Sequence, residues 1–127
     1  METFIEDVAQ YLEDNNIGTF ETDIFVNQLI NEPDNQVSVT QGSGAQPSTY
    51  VEVARPTVQI LVRNTDYDAG WQKMLAIFGL LHQKYDTIDM GDTDVMKIDA
   101  LQEPTPLGQD ESERYIFTCN FLFTIRR

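Results

Sequence analysis

Cysteine is almost missing from this sequence: Cys119 stands alone and cannot close a disulfide within the chain. Histidine is equally scarce, His82 being its one example, so catalysis or metal binding built on imidazole has little to draw on. Cations are few as well, with eight Lys and Arg against twenty-one Asp and Glu and a formal charge of −13. Binding to phosphates needs clustered cations, and Arg126-Arg127 is the only adjacent basic pair, which argues against specific nucleic-acid binding. Long apolar runs are absent too. Ile77 to Leu81 is the longest candidate, far below the ~20 residues that cross a bilayer, so no membrane partner is expected. Met1 to Asp7 carry acid where a secretory leader needs a basic region, and synthesis in a cytoplasm follows as the expectation.

What is present is enough for one core. At 127 residues, with 41% hydrophobic and 23% charged, the composition is that of a single globular domain spanning 1–127. Phe4, Ile5, Val8, Tyr11 and Leu12 recur at helical spacing between Thr3 and Asn15, with Thr3 and Glu6 placed as a capping box and Gly18 as the stop. Ile24 to Ile30 and Val37 to Thr40 read as two strands, joined as a hairpin across Asn31-Glu32-Pro33-Asp34-Asn35. The stretch 41–54 has the composition of a flexible loop.

Thr57 to Asn64 alternates, with Val58, Ile60 and Val62 on one face and Thr57, Gln59, Leu61 and Arg63 on the other. Thr65 or Asp66 is placed to cap a following helix whose stripe is Trp71, Met74, Leu75, Phe78, Leu81 and Tyr85. Ile77 and Leu80 fall off that stripe and offer a second contact surface, unless the wide stripe simply beds into a curved sheet. Asp94 to Leu101 and Arg114 to Ile125 read as an antiparallel strand pair around an acidic, flexible loop at 102–113. The last strand is long and should be central or interfacial. The expected class is α+β, a mostly antiparallel sheet with two helices packed on it in the order α-β-β-β-α-β-β.

Little of this carries chemistry. His82 sits beyond the helix stripe without a nucleophile brought to it, and Cys119 lies in the aromatic face of the last strand, where a small buried thiol is inert. Asp86, Asp89, Asp92 and Asp94 do not have EF-hand spacing and read as a solvated acidic turn. Gly42-Ser43-Gly44 lacks the Lys and the strand-turn-helix setting of a phosphate loop. No enzyme, cofactor or metal is expected.

The run from Arg55-Pro56-Thr57-Val58-Gln59 through Asp66-Tyr67-Asp68-Ala69-Gly70-Trp71, leading to Leu81-His82, resembles a signature of small bacteriophage proteins of the tail-terminator and minor-capsid, head-to-tail joining kind. The order of elements around it resembles theirs as well. Two departures are a longer acidic 102–113 loop and an arm from Gly42 to Ala54 without the usual shape. The resemblance implies a structural virion subunit, assembled in the host cytoplasm, that forms a homo-oligomeric and typically hexameric ring at the head-proximal end of the tail. Its implied partners are the tail-tube protein and the head connector protein, and it brings no catalytic residues. Subunit or partner contacts are expected at Gly42, Ser43, Gly44, Tyr50, Ile77, Leu80, Glu103, Leu107, Asp110 and Glu111. Two other roles fit the same composition: a head-completion or connector adaptor on the portal, and an acidic inhibitor that binds a basic host protein.

Overall fold

The computed structural model describes residues 4–42, 53–83, 85, 88–91 and 93–126. In chain order the elements are α1 (Phe4–Asp14), β1 (Ile24–Val26), β2 (Gln36–Gln41), β3 (Val53–Ala54), β4 (Thr57–Asn64), α2 (Tyr67–Leu81), β5 (Ile88–Met90), β6 (Thr93–Ala100), β7 (Thr105–Gln109) and β8 (Tyr115–Arg126). The expected class and order hold. Three short strands, β3, β5 and β7, are added in stretches the sequence gives to loops and turns. All strands join one sheet in the order β1-β2-β4-β8-β6-β5, with β3 and β7 also paired to β8.

β8 is the spine of this sheet. Its length lets two strands lie end to end along each of its edges. β4 covers Tyr115 to Leu122 and β3 continues at Ile125 and Arg126. On the opposite edge β7 covers Tyr115 to Thr118, and β6 takes over from Phe121 to Arg126. Arg55-Pro56 forms the break between β3 and β4. Proline has no N–H to give a ladder, but its carbonyl still accepts from the Phe123 amide at 2.9 Å.

One face of the sheet carries Val58, Ile60, Val62, Phe117, Cys119, Phe121 and Phe123, all wholly buried. Both helices pack on it. α1 contributes Ile5, Val8, Ala9 and Leu12 at the i, i+3, i+4, i+7 spacing of one helix face. Asp7 is buried beside them, accepting from the Thr93 hydroxyl at 2.6 Å and so tying α1 to β6. The expected cap at Thr3 lies outside the described residues. The helix ends at Asp14, short of Gly18, and Asn16, at φ 64°, turns the chain while the Ile17 amide bonds back to Leu12.

The expected hairpin is overturned. β1 stops at Val26 and runs parallel to β2, with Ile24 opposite Val37 and Val26 opposite Val39. Asn27, at φ 59°, leaves the strand, and residues 27–35 return the chain to begin β2 in the original direction. The Gln36 side chain fixes that return by bonding both the amide and the carbonyl of Ile30 and the carbonyl of Pro33.

α2 is rotated from its expected stripe. Gly70, Met74, Ile77 and Leu81 are the residues it buries, while Leu75 stands 37% exposed. The helix ends at Leu81, so Tyr85, 59% exposed, is not part of it. Ile77 is wholly buried and is therefore core rather than a second surface; the wide stripe beds into the sheet. Asp66 holds the cap position with extended backbone but makes no side-chain cap bond, its own amide being taken by Asn64 Oδ1 at 2.9 Å.

Candidate functional site

Two buried arginines organise one pole of the molecule, where β4 ends and β8 begins. Arg63 points to the sheet face away from the helices yet is only 3% exposed, because the 27–35 return lies against it. Its guanidinium donates to four backbone carbonyls, those of Ile30, Asn31, Pro33 and Asp34, at 2.6 to 3.1 Å. Arg114, 8% exposed, reaches the same segment through the Asn31 carbonyl at 2.7 Å and Asp34 at 3.3 Å. It also pairs with Asp110 at 2.8 Å. Burial, and then the neighbouring Arg114 charge, lower the Arg63 pKa, with Asp110 and Asp34 acting the other way. Asp110 is held below the usual carboxylate range, first by the Arg114 backbone N–H and then by the Arg114 side chain and the Ser112 amide. The result is a fixed acidic pole: the arginines are spent inward, while Glu32 and Asp34 face solvent. An outward position in an alternating strand reads as solvent, so Arg63 carries no signal of this in the sequence.

The expected contact residues separate into groups. Glu103, Leu107, Asp110 and Glu111 fall on one arm, and within it Thr105–Gln109 is the strand β7 rather than loop, paired to β8 and exposed along its whole length. Leu107 is 58% exposed and Leu101, at the start of the arm, 51%. Gly42 lies toward the other end of the sheet, its amide bonded to the Thr57 carbonyl at 2.9 Å. Leu80 is half-buried against the core and Ile77 is inside it. Ser43, Gly44 and Tyr50 lie outside the described residues.

The chemical candidates are placed structurally. His82 caps the end of α2, stacks on Phe78 with centroids 4.7 Å apart, and accepts the Ala100 amide at Nδ1. Cys119 is fully buried and its thiol donates to the Gln102 carbonyl at 3.3 Å. Burial first, and the nearby Glu103 charge second, push its pKa up to about 11. A thiol-reactive dye added at pH 7 to 9 should therefore label the folded chain negligibly and the denatured chain fully; rapid labelling of the native protein would contradict this burial. In the acidic turn Asp89 faces Asp94 across β5 and β6, and Asp94 pairs with Arg126 at 2.9 Å; Asp86 and Asp92 lie outside the described residues. Among the described residues no group of three or more His, Cys, Asp or Glu is placed to hold a metal ion. No described helix is long and apolar enough to cross a membrane.

No curated protein matches the chain. Among solved structures, a chain from the virion of a native gene transfer agent particle is similar with a TM-score of 0.67 and 11% identity, covering 99% of this chain and 100% of that one. At that identity the likeness is one of fold. The family model described as bacteriophage tail terminator protein matches residues 11–127, nearly the whole length and including the Arg55 to Trp71 run. This chain belongs to the bacteriophage tail terminator family and is a structural protein of the phage particle.

Proposed function

We propose that the protein is a ring-forming tail terminator, with six copies closing at the head-proximal end of the tail tube to end its growth and join it to the head connector. The observation that carries this reading is the family match over residues 11–127. The fold is consistent with it, since β7, within the 102–113 arm, is held to the sheet by β8 yet exposed along its whole length, where it can meet neighbours. Contacts to the tail-tube protein, the connector protein or another copy fall in this reading to Glu103, Leu107, Asp110 and Glu111, with Gly42, Ser43, Gly44 and Tyr50 on the other arm. No catalytic step is assigned to it.

The test is a phage made without this chain and viewed by electron microscopy. Expected are tubes that overrun their normal length and heads without tails, with rings of the protein seen at the tube end of complemented particles. Tails of normal length joined to heads would sink the reading.

A further inference from the structure

The registers place the two outer edges of the sheet at one level. Phe25 of β1 lies opposite Ser38, Ser38 opposite Leu61, Leu61 opposite Thr118, and Thr118 opposite Thr105 of β7. One row of paired residues thus crosses the sheet from β1 to β7, and both strands are terminal in it. Among the described residues β1 pairs outward only through the single bridge from Phe20 to Ile24, and β7 pairs only with β8.

The two edges also share a property that bears on association between copies. A subunit carrying −13 repels its own copies wherever carboxylates face each other. Yet β1 and the residues that follow it as far as Ile30 contain no charged residue, and neither does Thr105 to Gln109. Glu32, Asp34, Glu111 and Glu113 stand at the pole, Glu21 and Asp23 flank the start of β1 and Glu103 that of β7, so that carboxylates lie beside the strands but not within them. Both edges offer apolar surface as well: Phe25 and Val26 are half-buried, and Leu107 and Leu101 are exposed. Pro106 and the bulge before Gly108, at φ 96°, interrupt the β7 ladder, which favours a short side-chain contact over open-ended strand pairing.

From this we infer that the β7 arm of one subunit docks against the β1 edge of a second copy, side by side and at the same height. The two patches differ and sit on opposite edges, so the contact is head-to-tail; repeated, it continues past a dimer, and a rotation that closes makes it a ring. The inference rests on the ring reading above and names the surfaces that would build it.

Cysteines at two exposed positions test it, Leu107→Cys on β7 and Gln28→Cys two residues past the end of β1, with a flexible bismaleimide long enough to span that offset as linker and buried Cys119 silent. Within assembled rings, a chain carrying both substitutions should give a ladder of cross-linked oligomers in a denaturing gel. A mixture of the two single variants should stop at dimers, and neither single variant alone should cross-link. Self-linking of the Leu107→Cys variant, or no ladder from a doubly substituted chain that still forms rings, would overturn the inference and leave the ring reading standing. A wild-type chain that forms no ring, alone or on tails, would remove both.

Discussion

Arg63→Ala should destabilise the chain by about 3–5 kcal/mol, since it withdraws a buried charged donor and strands its acceptors. Four carbonyls of the 30–34 segment converge on that one guanidinium, and 3% exposure leaves water little access to replace it. For a domain of this size the melting temperature should fall on the order of 10–20 °C, read by circular dichroism. Arg63→Lys should recover part of the loss, because an ammonium keeps the charge but cannot reproduce the fork that meets carbonyls on two sides. Arg114→Ala should cost less than Arg63→Ala: it serves fewer buried carbonyls, and of its two carboxylate partners Asp34 is 62% exposed and Asp110 21%, so that water can reach both when the arginine is gone. A loss below about 1 kcal/mol for Arg63→Ala would mean that the 27–35 return stands without its clasp.

The same residue shows where the sequence stops being legible. α1, β4 and β8 are readable because their side chains obey one period over 8 to 12 residues, and burial of the matching face confirms it. The hairpin failed for a different reason. Asn31 to Asn35 has the composition of a tight reversal, but its path is set by Gln36 and Arg63, and the Arg63 contacts reach some 29 to 33 residues along the chain. A local turn signal cannot encode the direction in which β2 leaves. β7 escaped notice because Thr-Pro-Leu-Gly-Gln disfavours a strand on its own; it becomes one because β8 is long enough to leave an edge open beyond the end of β6. The exposure of the 102–113 arm is legible in its composition, whereas Ile77 reads as surface although it is buried, because a wide apolar stripe does not say which line of it faces the sheet. Gly70 decides that.

At Gly70 α2 comes close enough to β8 that a Cβ would stand 2.5 Å from Phe117 Cε2 and 2.9 Å from Asn64 Cβ. Phe117 in turn is wholly buried, with the Tyr67 ring edge-on at 5.2 Å and Trp71 tilted at 5.6 Å. Phe117→Ala should therefore cost about 3–5 kcal/mol from lost transfer energy and the cavity left between helix and strand. The loss would appear as a lowered midpoint in urea unfolding. Gly70→Ala should cost roughly 1–3 kcal/mol by the opposite route, overfilling the same contact. Because both act on one gap, their effects should not add. Combining Gly70→Ala with Phe117→Leu, which removes the ring carbon the new methyl would strike, should be less destabilising than the sum of the two by on the order of 1 kcal/mol. Additive losses would mean that helix and strand relax apart independently; a helix seated by glycine on a phenylalanine ring predicts coupling.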